Sequence, residues 1–564
     1  VQSLGVQVLL PEPTKRRPSG AVCGFCCRPH RLFMTGWRDL QIRGRPCTHA
    51  TTVLGAHGVG GYTLAALNAD VERVVASNFE TSANDLTIDT ALMDNLTTVG
   101  MSASSATGDT VFSGMNSLVN AEMKNGAGNL TLTFNAAAVA GTADAISLDA
   151  ANNTGAFTAD GIETLSVSST LAKSTMTVAS NALKKLVITG DKDLTLGTPD
   201  FVAGTNNDAT IDATTDASAF TGKLSMTLDE NDHSVTGGSG DDTIAAAGTL
   251  TAKDVIDGGD GNDTVSITGH DGGTALKMSE LQLSNVEAFQ VEADNNKVTN
   301  INADGSTVSE FVLVENATTA KAATVSGLAA GQSVTINNTV NGKDVGVVTV
   351  GLKDESGTSD SITINVNGTS GDGSENVDEI VTADIETVNI VSGSVGTTAM
   401  LSTDTNALTN VTLGNATALN LSGAANLSID NAVTGAKLTT VSAAGMTGKL
   451  SYVAAATDVT LTGGAGDDTL TMGSTLNEKD VVDGGAGSKD VLTATTTGAT
   501  ATTGKLSIAN VETINLTNTG TQVIDASGIT GASEIAVLTN TTKTTITGLA
   551  AGTAVGVGHN NTDG

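Results

Sequence analysis

The stretch Gly237-Gly-Ser-Gly-Asp-Asp-Thr-Ile-Ala245, followed 21 residues on by Gly258-Gly-Asp-Gly-Asn-Asp-Thr-Val-Ser266, decides the fold. Both segments fit the nonapeptide G-G-x-G-x-D-x-U-x, in which U is a large apolar residue. The glycines let the backbone turn with positive φ and present carbonyl oxygens inward, and the aspartate adds a hard anionic oxygen suited to a hard cation. The next residues form a short strand whose U side chain, Ile244 or Val265, is predicted to fill the core. Reading nine residues back from Gly258 gives Thr249–Asp257, with Asp254 sixth and Ile256 eighth, a degenerate turn in register. Ala246-Ala-Gly248 is then a small insertion, and the two glycine loops fall on one edge of a coil, one above the other. This arrangement predicts a cation between them, held by Asp242 and Asp263 with carbonyls around Gly238, Gly240, Gly259 and Gly261. Asp257 and Asp260 are secondary donors.

Working outward, the same plan returns at an offset of 226. Thr221-Gly-Lys-Leu-Ser225 recurs as Thr447-Gly-Lys-Leu-Ser451, and Gly237–Ile244 recurs as Gly463-Gly-Ala-Gly-Asp-Asp-Thr-Leu470. There follow an insertion at Met472-Gly-Ser474, the degenerate turn Thr475–Asp483, and Gly484-Gly-Ala-Gly-Ser-Lys-Asp490. The last loop departs from the pattern: its sixth position is Lys489, and the aspartate arrives one residue late as Asp490. The spacing therefore predicts an ammonium in the place of a ligand and a weaker site built on Asp468 and Asp483. Gly464, Gly466 and Gly485 stand around it, with Asp490 as a further donor. Gly-Asp turns that hold no metal are the alternative reading for both clusters.

A smaller element also recurs: Gly161-Ile-Glu-Thr-Leu165, Asn285-Val-Glu-Ala-Phe289, Asp384-Ile-Glu-Thr-Val388 and Asn510-Val-Glu-Thr-Ile514. Each reads as a turn entering an alternating strand, with Ile162 and Leu165, or Val286 and Phe289, among the inward residues. Glutamates repeated at equivalent positions of a stacked array are expected to cap turns or face solvent rather than catalyse. Internal copies of this kind mark a solenoid, whose repeats bury a continuous core only through their neighbours. The expected fold is all-β: an elongated parallel β-solenoid with β-roll segments at the loops. β-sandwich-like stretches between the loops are the variant for the rest.

Composition agrees, since one Trp, two Tyr and ten Phe in 564 residues leave a core of small and β-branched side chains, with 65 Gly for turns. No run of about 18 apolar residues occurs, so no transmembrane helix is expected. The net charge is −33, and beyond residue 50 there are 19 basic against 58 acidic residues. Such a chain repels nucleic acid and opposes its own compaction unless cations neutralise carboxylates. A plain solubilising acidic surface is the alternative. Residues 1–58 stand apart: all four cysteines, five of six prolines and seven of eight arginines lie within 1–47. Cys23, Cys26, Cys27, His30, Cys47 and His49 admit a zinc-knuckle reading. The segment is instead expected to lie outside the fold. The remaining chain divides into β-rich repeats at 59–235, a β-roll at 236–268, repeats at 269–461, a degenerate β-roll at 462–493 and repeats at 494–564.

On these loops, the V/I-E-T/A strands and the D-A-S-x-x-T-G turns at 216–222 and 525–531, the chain from about residue 60 resembles RTX-containing bacterial surface proteins, especially S-layer proteins exported by type I secretion. The resemblance implies calcium as the ion, export unfolded, folding outside the cell on calcium, and self-association into a surface lattice. Outer-membrane polysaccharide is a candidate partner at the cell surface. A calcium-dependent adhesin is the alternative, and the repeat part of a secreted enzyme is a further one. No H-E-x-x-H or G-x-S-x-G occurs, and beyond residue 57 only His233, His270 and His559 remain, so no enzyme is expected here.

Overall fold

In the computed structural model, described residues are 6–8, 32–34, 50–56, 62–64, 71–78, 86–204, 210–246, 250–270, 275–293, 299–315, 322–338, 344–369, 374–395, 401–474, 476–496, 502–518, 522–539 and 544–557. The cysteines and histidines of the zinc-knuckle reading lie outside them. Alternation of period two turns one side of each strand inward, as in Thr164–Ser169 and Ser361–Gly368, where buried and half-exposed residues alternate strictly. Such a strand cannot bury its apolar face alone, so each stacks in register on another coil. Strand Thr164–Ser169 pairs with Ala145–Asn153 before it and Lys185–Gly190 after it, both parallel. Among the described residues every ladder is parallel except that of Val6–Val8 with Leu32–Met34. The intervening stretches are therefore parallel coils and not sandwiches. The first coil strand, Ala50–Ala56, pairs with Val71–Asn78, inside the range read as a leader.

The chain forms two compact units, residues 1–266 with 280–287, and 267–279 with 288–564. In the first, Val74, Val99, Ala121, Leu148, Val167 and Ile188 stand one above another as a buried column. The second has the column Ile362, Val388, Leu419, Val441, Leu461, Val482 and Ile508. Each fully buried Val, Leu or Ile contributes about 1.5–3 kcal/mol. A coil carries two strands through most of its length. From Val491 onward it carries three, so that Val491–Thr496 pairs with Thr513–Asn518 and that strand with Glu534–Thr539. Ile162, Leu165, Val286, Phe289, Ile244, Val265 and Ile256 are all buried, as their alternation predicts.

Candidate calcium site

Each glycine loop sits where the chain passes from one sheet of the coil to the other. In the first unit, loop 237–242 leads into strand Thr243–Ala246, and loop 258–263 passes over it one coil later. Asp260 N–H donates to Gly238 O at 2.9 Å, and Thr264 N–H donates to Asp242 O at 2.9 Å. The loops are thus stacked on one edge, with Asp242 and Asp263 adjacent. Close approach explains most of the glycines. A Cβ on Gly238 would meet the Phe220 carbonyl, and one on Gly261 would lie 2.6 Å from Gly240 O. Positive φ, expected throughout, holds at Gly259 (96°), Gly261 (134°) and Gly485 (98°) but not at Gly238, Gly240, Gly464 or Gly466. There the absent side chain matters because the preceding coil's backbone occupies its space.

The carboxylates form a ladder between coils. Asp242 accepts from Leu224 N–H through Oδ1 and from Gly238 N–H through Oδ2, both at 2.8 Å. Asp242 N–H in turn donates to Asp263 Oδ1 at 2.7 Å, and Asp263 N–H donates to Glu287 Oε2 at 2.8 Å. Asp263 is 1% exposed, and its Oδ2 is buried without a hydrogen-bond partner. Burial pushes this carboxyl up to about 6, and the Asp242, Glu287 and Asp241 carboxylates push the same way. Burial also raises Asp242. A desolvated carboxylate oxygen with no donor is costly as an anion. A divalent cation removes that cost.

The second unit repeats the ladder. Asp468 accepts from Leu450 N–H at 2.8 Å and Gly464 N–H at 2.6 Å, its own N–H donates to Asp490 Oδ1 at 2.7 Å, and Asp490 N–H donates to Glu512 Oε2 at 2.8 Å. Asp490 Oδ2 is buried and unpartnered, and burial, with Asp468, Glu512 and Asp467, lifts this group to about 6 as well. The expected intrusion of Lys489 does not occur. The extra residue bulges on the exposed side of turn 487–490, Lys489 faces solvent, and Asp490 takes the place that Asp263 holds in the first loop. Asp468 therefore meets Asp490 rather than Asp483.

The other expected donors serve the turns. Asp257 accepts from Gly259 N–H and Asn285 Nδ2, Asp483 does the same for Gly485 and Asn510, and Asp260 is exposed. Gly238 O already accepts one amide, as does Gly464 O from Ala486 N–H at 2.8 Å. Two buried aspartates on the opposite edge escaped notice as structural groups: Asp254 caps His233 and Thr251, and Asp480 caps Val459 and Asn477. Among the described residues no three His, Cys, Asp or Glu side chains converge as a metal-binding set. An ion in these loops would take a carboxylate oxygen from Asp263 or Asp490 and most of its remaining oxygens from main-chain carbonyls, which suits calcium's flexible oxygen coordination.

A family profile described as RTX calcium-binding nonapeptide repeat (4 copies) matches residues 251–266 and 453–474. The chain carries RTX repeats. The matched spans include Asp263 and Asp468; the loops at 237–242 and 484–490 fall outside them, yet complete the same two RTX ladders. No curated protein matches the chain. Among the described residues no helix is long and apolar enough to cross a membrane.

Proposed function

We propose that this chain is a structural protein of the bacterial cell surface, S-layer-like, which binds calcium to fold and to assemble into a lattice outside the cell, and that it is not an enzyme. The observation that carries the reading is the buried, unpartnered carboxylate oxygen at the centre of each RTX ladder, in a chain of net charge −33. Calcium that binds the folded form alone stabilises it by RT ln(1 + [Ca]/Kd). Extracellular calcium modules bind at roughly 10⁻⁴ to 10⁻³ M, so the loops stay empty in a calcium-poor cytosol and fill outside. Self-repulsion then favours an open, exportable chain inside the cell. Export by a one-step secretion channel and anchoring to surface polysaccharide belong to this proposal, on the strength of the RTX resemblance.

Negative-stain microscopy of the purified chain with and without millimolar calcium, with circular dichroism on the same samples, tests the reading. Ordered two-dimensional sheets that form with calcium and dissolve with chelator support it. Calcium-induced β-structure without sheets favours the adhesin reading, and no response to calcium sinks both.

A further inference from the structure

The four glutamates of the V/I-E elements, set aside above as turn-capping, make one and the same contact. Glu163 Oε2 accepts from Asp144 N–H at 2.8 Å, Glu287 from Asp263 at 2.8 Å, Glu386 from Asp360 at 3.0 Å and Glu512 from Asp490 at 2.8 Å. Each time the glutamate reaches back one coil to hold the amide of an aspartate at the entrance of a strand. The sequence separations are 19, 24, 26 and 22 residues, so coil register, and not a fixed spacing, makes the pair.

Two of the four clamps differ from the rest in what lies one coil earlier. Asp263 and Asp490 receive the amides of the buried aspartates Asp242 and Asp468. The corresponding turn before Asp360 is Ala329–Gln332, in which Gln332 Oε1 accepts from Ala329 N–H at 2.7 Å. Asp144 folds its own Oδ2 back on Gly141 N–H at 3.1 Å. Asp360 Oδ2 is likewise buried without a hydrogen-bond partner, so the free oxygen is not peculiar to the loops. Among the described residues, what marks the two RTX ladders is that the clamped aspartate also receives a buried aspartate's amide on Oδ1, which holds the carboxyl from both sides and leaves Oδ2 in a fixed place.

We propose that Glu287 and Glu512 are the positioning residues of the two calcium sites: by fixing the amides of Asp263 and Asp490 from the following coil, they aim Oδ2 at the ion and tie calcium binding to the order of that coil. The inference rests on the calcium reading of the loops. Groups that orient a metal ligand from behind commonly change metal affinity by about 10- to 100-fold when removed. The glutamates touch no ion themselves. Their contribution runs through a hydrogen bond to a main-chain amide, which gives it a distinctive chemical signature.

Glutamine keeps an acceptor oxygen at the same reach and removes the charge; aspartate keeps the charge and withdraws the oxygen by one methylene. Calcium titration by calorimetry of the full chain, with thermal melts to compare folded populations, should give Glu512→Asp and Glu287→Asp a loss of about tenfold or more in affinity at the altered cluster. Glu512→Gln and Glu287→Gln should bind within about fivefold of the parent. Glu163→Asp, at a clamp outside the loops, should lower the melting temperature and leave calcium affinity unchanged. The reverse order, with Gln weak and Asp intact, would mean that the charge matters and not the clamp, and would overturn the inference. So would parent-like affinity in folded Asp variants. Where an Asp variant does not fold even in calcium, the Gln variant decides, because a loss there contradicts the clamp. A parent chain that folds and takes up no calcium overturns the calcium reading itself, a result recognisable because every variant is then equally silent.

Discussion

The two RTX clusters differ in sequence where it matters most and agree in structure to the individual hydrogen bond. In the first, the consensus position is filled by Asp263; in the second it is filled by Lys489, with Asp490 one residue late. Both chains of contacts nevertheless run from a buried aspartate through its amide to a second buried aspartate and on to a glutamate, with lengths of 2.7 and 2.8 Å at each step. The difference teaches that coil register decides which residue enters the ladder. Strand Val491–Thr496 is locked to Thr469–Gly473 by its apolar column, Leu470 against Leu492, and the turn before it absorbs a residue outward. A consensus position counts residues, whereas the core counts coils.

The opposite edge differs more. His233 is buried, with Nε2 2.9 Å from Asp229 Oδ1 and its ring edge-on to Phe201. The equivalent positions in the second cluster are Val459 and Ala455. The aspartate cap on the amide survives the change, from Asp254 to His233 in one and from Asp480 to Val459 in the other, both at 2.8 Å. Asp241 and Asp467 each accept a loop amide at 3.2 Å, from Asn262 and Ser488, and in the first cluster Asp241 also pairs with Lys223 at 2.7 Å.

If the clusters are equivalent, removing both free carboxylates should have the largest effect. In Asp263→Asn with Asp490→Asn, the calcium-dependent rise in stability, about 2.7 kcal/mol for each site when calcium is at 100 times Kd, should disappear from thermal melts. The next effect is on pH. Both aspartates sit at about 6 when folded, against 3.8 ordinarily, so between those values the calcium-free fold binds more protons than the open chain. Its stability from these groups is therefore greatest below about pH 4 and falls as pH rises through 6. Calcium needs the deprotonated form, so its apparent affinity should weaken as pH drops below about 6 in both clusters, measured by titration at pH 5 and pH 7.5. A pH effect confined to the first cluster would break the comparison. Smaller still, Lys489→Ala should change stability by no more than about 0.5 kcal/mol and leave calcium affinity at the second cluster intact, because the side chain is solvent-facing. His233→Val, which gives the first cluster the second's residue, should cost about 1 kcal/mol in melts through the lost Asp229 contact, with calcium affinity unchanged.

Much of this was legible in the sequence for a definite reason. A period of two places Ile244, Val265 and Ile256 in the core, and the 21-residue separation of the glycine loops places Asp242 beside Asp263. What was not legible depends on distances along the chain that loops are free to vary. The glutamate clamps span 19 to 26 residues, so no fixed motif links Glu512 to Asp490. The offset that made Lys489 look like an intruder is harmless once the turn bulges outward. Asp257 and Asp483 look like ligands in a linear reading, but each is drawn off by a glycine amide and by an asparagine one coil on.

The most direct test of equivalence is a calcium titration of the full chain carrying Asp263→Asn alone and Asp490→Asn alone, each compared with the parent. Two equivalent ladders predict that each substitution removes a comparable share of the bound calcium, and that the two losses add in the double variant. An Asp490→Asn chain that binds calcium as the parent does, beside an Asp263→Asn chain that binds none, would show that the first cluster is the only working site and would contradict the account.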